Sequence, residues 1–215
     1  MSQEDGAPAP ETRWSRDHWE RVWAAREEGE VSWFQARPEL SIRLVAASGV
    51  GPEARLLDVG GGASRFSDLL LDAGFHHLTV LDISEAALER ARRRLGPRAS
   101  AVTWVAADVT SWRPGELFDL WHDRAVFHFM TRPEEQAGYL DALQRALRPG
   151  GQAILATFST TGPERCSGLP VARYEPESLA RQLGPEFRLL ESDYEDHRTP
   201  GGRVQRFQYS RFIRG

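Results

Sequence analysis

Between residues 13 and 50 the apolar positions recur at helical spacing. Trp19, Val22 and Trp23 share one face at i, i+3, i+4, with Ser15 placed to cap the helix and Gly29 to stop it. Val31-Ser32-Trp33-Phe34-Gln35 then leads into Pro38, a favoured first position for a second short helix through Ala47. From Arg55 the pattern changes to alternating strands and helices. Leu56–Val59 reads as a buried strand running into Gly60-Gly61-Gly62, and Phe66, Leu69 and Leu70 form the stripe of a helix ending at Gly74. Leu78–Asp82 is a second strand, after which Ser84 caps a helix to Leu95. Val102–Val105 and Leu117–Trp121 supply the third and fourth strands. Thr131 and Glu134 then form a capping box, with Pro133 in the first turn, for a helix through Leu147. A fifth strand, Ala153–Ala156, follows Pro149-Gly150-Gly151.

Strand–helix alternation at this spacing predicts an α/β fold, a Rossmann-like doubly wound and mostly parallel sheet of seven strands. After residue 158 the alternation stops. A Gly/Pro-containing loop, Ser159 to Tyr174, leads to a helix around Glu177–Leu183. Two β-rich stretches, Phe187–Tyr194 and Val204–Ile213, flank Thr199-Pro200-Gly201-Gly202 and read as a C-terminal antiparallel hairpin closing one sheet edge. The expected organisation is a disordered stretch over 1–12 and one domain over 13–215. That domain divides into a helical lid (13–50), a cofactor-binding core (54–158) and a substrate loop with closing hairpin (159–215).

Composition narrows the chemistry. The chain has 215 residues and a net charge of −4, and all 27 of its basic residues are arginine. Without lysine there is no Schiff base and no Walker A loop, and without asparagine there is no N-glycosylation acceptor. A G+C-rich bacterial genome accounts for the missing residue types. No apolar run approaches the ~18 residues that span a bilayer, and the acidic start lacks the apolar region of a signal peptide. One cysteine, Cys166, fits a reducing compartment, so a cytoplasmic protein is expected, a monomer or homodimer with no membrane partner. The acidic balance argues against nucleic acid. No metal-ligand spacing surrounds Cys166, and no metal is expected.

The glycine loop carries the first chemical signal. Glycines at a strand-to-helix junction let the backbone approach a ligand, and the helix start offers N–H donors. A dinucleotide fingerprint would place a third glycine at position 65, where this chain has Arg65. Asp82 ends the second strand 22 residues after Gly60, where a carboxylate can accept both hydroxyls of a ribose. Asp108, followed by Val109, ends the third strand in a position suited to an adenine amine beside an apolar wall. In an open parallel sheet these positions converge at the carboxyl edge.

With these residues the sequence resembles the class I S-adenosylmethionine-dependent methyltransferases over roughly residues 54–158. The resemblance rests on Asp58-x-Gly60-x-Gly62-x-Ser64, Asp82, Asp108, Phe118-Asp119-Leu120-Trp121 and Leu147-Arg148-Pro149-Gly150-Gly151. It implies S-adenosylmethionine as cofactor, S-adenosylhomocysteine as product, and a cofactor site of Asp58, Gly60, Gly61, Gly62, Ser64, Asp82, Ile83, Asp108 and Val109. The segment from His18 to Pro38 is similar to the entry segments of two groups within that family. One holds thiopurine and small-thiol or halide methyltransferases, the other elongation-factor lysine methyltransferases and their bacterial relatives. Both resemblances imply that Trp23, Trp33 and Phe34 fold over the cofactor and acceptor; Trp19 reads as core.

The acceptor side draws on other segments. His122-Asp123-Arg124-Ala125-Val126-Phe127-His128 lies where class I enzymes present groups to the transferred methyl. Asp123 is the candidate for orienting an acceptor, His122 and His128 are candidate bases, and Arg124 a substrate contact. No Pro-Pro-aromatic signature of nucleic-acid amino methylation occurs there. Arg165 and Arg173, with Cys166, are candidate acceptor contacts in a mobile loop, because arginine clamps anions. His197, near the final hairpin, is a weaker candidate, and His76-His77 reads as an exposed strand entry. The expected activity is methyl transfer to a small molecule with an S, N or O nucleophile, a thiol slightly preferred. The alternatives are protein lysine methylation and a non-catalytic cofactor-binding module.

Overall fold

The computed structural model describes residues 13–215, so the disorder expected over 1–12 lies outside the described residues. Seven strands form one sheet in the order β3-β2-β1-β4-β5-β9-β8. The first five are β1 (Arg55–Val59), β2 (His77–Asp82), β3 (Val102–Ala106), β4 (Phe118–Arg124) and β5 (Leu147–Phe158). They run parallel, with Asp58 beside His122 and Asp123 beside Leu155. β9 (Val204–Arg214) runs antiparallel to β5, and β8 (Phe187–Arg198) antiparallel to β9, which closes the edge as the hairpin pattern predicts.

Local chemistry accounts for the boundaries. In α1 (Arg16–Ala25) the Ser15 hydroxyl accepts from the His18 N–H at 3.1 Å, and in α4 (Glu85–Leu95) Ser84 accepts from Ala87 N–H at 3.2 Å. The inner face of α4 buries Ala87, Leu88, Ala91 and Leu95, while Arg92, Arg93 and Arg94 crowd its last turn, where the helix dipole favours cations. α2 (Glu39–Ser48) follows Pro38, and α3 (Phe66–Asp72) follows the glycine loop. Central β4 is buried along nearly its whole length, as expected for a parallel strand covered on both faces.

Three elements differ from the sequence expectation. The helix α5 (Pro133–Ala146) is capped by Glu135, not Glu134: its carboxylate accepts from Thr131 N–H and Arg132 N–H at 3.1 and 3.2 Å. With Pro133 at the first helical position, residue 135 is the one that curls back to the cap. β5 already starts at Leu147 and absorbs Pro149-Gly150-Gly151 within the strand. The loop after β5 contains a small hairpin, β6 (Arg165–Cys166) and β7 (Leu169–Pro170), before α6 (Pro176–Leu183). Among the described residues no helix is long and apolar enough to cross a membrane.

Candidate active site

The site is built at the carboxyl ends of β1, β2, β3 and β4. Gly60 leaves β1 with φ +67°, and its N–H donates to Leu81 O at 2.7 Å, drawing the loop against the end of β2. A Cβ on Gly60 would collide with Val126 Cγ2. One on Gly62, at φ +38°, would sit 2.7 Å from Asp82 Oδ2. Only glycine therefore allows the main chain to reach this cradle. Ser64 ends the loop by accepting from Phe66 N–H at 3.1 Å, which starts α3.

Asp82 is buried at the end of β2 and accepts from Ser84 N–H at 2.8 Å. Burial, with the Asp58 and Glu20 charges nearby, pushes its carboxyl up to about 7. Asp108 has one carboxylate oxygen taken by Thr110, from its N–H at 2.8 Å and its hydroxyl at 2.7 Å, which fixes the side chain at the end of β3. Both carboxylates, with Ile83, Val109 and Gly60, border a chamber open to solvent. Its roof is aromatic: Trp19, Trp23 and Trp33 come from the N-terminal segment. Trp33 meets Trp19 and Trp23 edge-on, with ring centroids 5.7 and 5.9 Å apart. Trp19, read from the sequence as core, packs against the core through Phe129 and also borders the chamber.

A second hollow shares Trp23, Trp33, Val59, Gly60 and Arg124 with the first, and adds Phe34, Gly61, Ser64, Asp58, His122 and Ser41. Arg124 stands at the junction. Its Nε donates to Tyr209 Oη at 2.8 Å and its Nη1 to Trp33 O at 3.0 Å, while Nη2 lies 3.5 Å from Glu195. The guanidinium also sits 4.5 Å from the centre of the Phe207 ring. Tyr209, pushed up to about 12 by burial, keeps its proton and donates it to Glu195 at 3.1 Å. A cation is therefore fixed between the two chambers.

The other residues expected near the acceptor have different surroundings. Asp123 is fully buried and borders neither chamber. It accepts from Val126 N–H at 2.8 Å, Phe127 N–H at 3.0 Å and Tyr139 O–H at 2.5 Å, and Trp121 Nε1 donates to Tyr139 Oη at 2.9 Å. Burial raises its carboxyl to about 6. It holds the turn through Ala125, at φ +72°, that presents Val126, Phe129 and Met130 to the first chamber. His128 is also fully buried and borders neither chamber; burial and the Arg124 charge bring it down to about 3. That placement does not suit a base at neutral pH. His122 borders the second chamber, but Nδ1 contacts Asp58 at 2.7 Å and Nε2 contacts Ser41 Oγ at 2.9 Å, so both nitrogens are engaged.

The loop after β5 also departs from expectation. Arg173 reaches inward to Thr160 O at 2.9 Å and Gly162 O at 3.1 Å, and Arg165 donates to Gly168 O. Each arginine staples the loop to itself and borders neither chamber. Cys166 does line the first chamber; burial pushes its thiol up to about 12, so it stays protonated. Ser41, Tyr209, Glu195, Phe129 and Met130 were not singled out from the sequence. They converge from four separate segments, and no local motif marks them.

Residues 56–151 match the family described as a methyltransferase domain. Over 188 residues the chain is 32% identical to thiocyanate methyltransferase 1 of Brassica oleracea, covering 86% of this chain and 72% of that protein. A probable thiol methyltransferase 2 of Arabidopsis thaliana is 29% identical over 172 residues, covering 78% of this chain and 73% of that one. Among solved structures, the N-methyltransferase NodS of Bradyrhizobium japonicum, in complex with S-adenosylhomocysteine, superposes with a TM-score of 0.69 at 20% identity. That overlay covers 92% of this chain and 99% of NodS, a likeness of fold.

Proposed function

The chain belongs to the class I S-adenosylmethionine-dependent methyltransferases, and we propose that its acceptor is a small molecule with an anionic or readily ionised nucleophile, sulfur preferred. The cradle fits the family's cofactor. Asp82 is suited to accept the ribose hydroxyls, Asp108 and Val109 to meet adenine, and Gly60 to Gly62 to let the methionine portion lie on bare backbone. When bound, S-adenosylmethionine supplies an electrophilic methyl group on a sulfonium. The work left to the chain is to hold a nucleophile in line with that group and keep water away.

The observation that carries the acceptor class is Arg124, a fixed cation at the junction of two chambers beneath an aromatic roof. A guanidinium there attracts an anion and lowers the pKa of a thiol brought beside it. Deprotonated in this way, sulfur needs no separate base, which suits a chamber where His128 is held neutral and His122 has both nitrogens engaged. The thiocyanate and thiol methyltransferases among the relatives carry names consistent with this reading. A lysine side chain fits less well, because its ammonium would meet Arg124. Phe34 and Cys166 complete the acceptor wall in this account.

Substituting Arg124→Gln tests it. The expected result is a rise in KM for thiols and thiocyanate of about tenfold or more, as for loss of a charge-assisted hydrogen bond. Cofactor affinity by calorimetry should stay within about twofold. Unchanged KM with intact cofactor binding would remove Arg124 from the acceptor site.

A further inference from the structure

At the opposite, amino-terminal end of the sheet a second group of side chains stands apart from the methyl-transfer site. Glu53 lies in the turn before β1, and His76 and His77 lie where the chain enters β2, beside the start of β1 through the Arg55–His77 pairing. The two imidazole rings have centroids 4.8 Å apart. His76 Nε2 is 3.0 Å from one Glu53 oxygen and His77 Nε2 is 3.9 Å from the other. One donor atom from each residue lies within 4.8 Å of the others.

We propose that Glu53, His76 and His77 form a binding site for a divalent transition metal of the zinc, nickel or copper class. Two features of the geometry suit a metal ion. Around zinc, ligand atoms about 2.0–2.2 Å from the ion in a tetrahedron stand roughly 3.3–3.6 Å from one another. One donor atom from each residue already lies within 4.8 Å of the others, so small rotations of these exposed side chains bring all three donors onto one ion. The second feature is the orientation of His76. Its Nδ1 is 3.0 Å from Gly74 O, a contact that requires the proton on Nδ1. Without an ion, Nε2–H donates to Glu53 at 3.0 Å; an ion that displaces this proton meets the Nε2 lone pair on the side where Glu53 already stands. A backbone carbonyl holding the outer ring nitrogen is the usual support of a metal-bound histidine.

Two imidazoles and one carboxylate select imidazole-preferring metals over magnesium or calcium, which want oxygen ligands. All three residues are exposed, so water would fill the remaining coordination positions. The neighbouring hollow, lined by Arg55, His76, His77 and Glu116, gives solvent access. Arg55 is already paired with Glu116. An ion there would reinforce the tie that Glu53 already makes between the turn before β1 and the entry of β2. The site is separate from the cofactor cradle and does not depend on the methyl acceptor.

Calorimetric titration of the full chain with ZnCl₂, with MgCl₂ as comparison, tests the assignment. The expected result is one zinc ion per chain and no magnesium binding. His76→Ala and His77→Ala should each weaken zinc binding at least about tenfold, and Glu53→Gln should weaken it as well. Cofactor affinity should stay unchanged in all three, a check that the variants are folded. Absence of zinc binding to the unaltered chain, or equal binding in the His76→Ala/His77→Ala double variant, would overturn the proposal.

Discussion

Asp82 shows how one residue can link burial, charge and ligand. A carboxylate this deeply buried is costly unless it is met by donors, and Ser84 N–H supplies one of them. Two ribose hydroxyls would supply more, so cofactor binding and ionisation of Asp82 should favour each other. Asp82→Ala is expected to weaken S-adenosylmethionine binding by about 100-fold, the scale of two hydrogen bonds to a charged group. In the unaltered protein, affinity should fall as pH drops below about 7, where the free protein takes up a proton at Asp82. Calorimetry from pH 5.5 to 8.5 would check this, and a flat profile would contradict it. Its position was legible because an acidic residue at a strand end is a local signal. Asp123 and His128 were misplaced for a related reason: sequence puts them at the right strand end but not on a given side of it. Asp123 turns inward to hold a reverse turn, and His128 turns under the β5 backbone, where Phe158 N–H meets its Nδ1 at 3.4 Å.

At the level of elements, the aromatic roof is held down by charge. Glu20 of α1 accepts from Glu85 N–H at 2.7 Å at the start of α4. Near the other end of α4, Arg94 donates to Glu28 at 2.8 Å, to Asp68 at 2.6 Å and to the carbonyls of Ala63 and Ser64, both at 2.7 Å. A single arginine thus joins the N-terminal segment, the glycine loop, α3 and α4. Its side chain is 15% exposed, whereas that of neighbouring Arg93 is 69% exposed. Arg94→Ala should cost about 2 kcal/mol through carboxylates left short of partners. For a chain of this size that is about 4–8 °C in Tm. Arg93→Ala should change Tm by no more than about 1 °C, and equal effects of the two would contradict the assignment. The helices and strands themselves were readable from periodicity and caps. The tie through Arg94 was not, since three consecutive arginines on a helix look alike until a neighbouring element selects one.

For the molecule as a whole, Asp82 and Asp123 bias stability with pH. Both are raised in the folded state, to about 7 and about 6, above the range of an unfolded aspartate. At these two sites the folded chain holds more protons between about pH 4 and pH 7, and their contribution to stability is lost as pH rises through the folded values. Buried His128, held down to about 3, works the other way and offsets part of it. The cofactor-free protein should accordingly melt lower at pH 8 than at pH 5.5 in differential scanning calorimetry. Saturating S-adenosylmethionine should narrow the gap by satisfying Asp82. The overall architecture follows from the strand–helix alternation and the closing hairpin. What the one-dimensional pattern lacks is the convergence of Trp33, Arg124, Glu195 and Tyr209, whose contacts span up to 91 positions of chain. Whether the acceptor is a small molecule is decided by following the label from methyl-labelled S-adenosylmethionine in two lysate fractions, small molecules and proteins. Because all 27 basic residues are arginine, the enzyme has no lysine of its own to take up label. Label should enter the small-molecule fraction, and thiols foremost within it. Label confined to protein lysines would contradict a small-molecule acceptor.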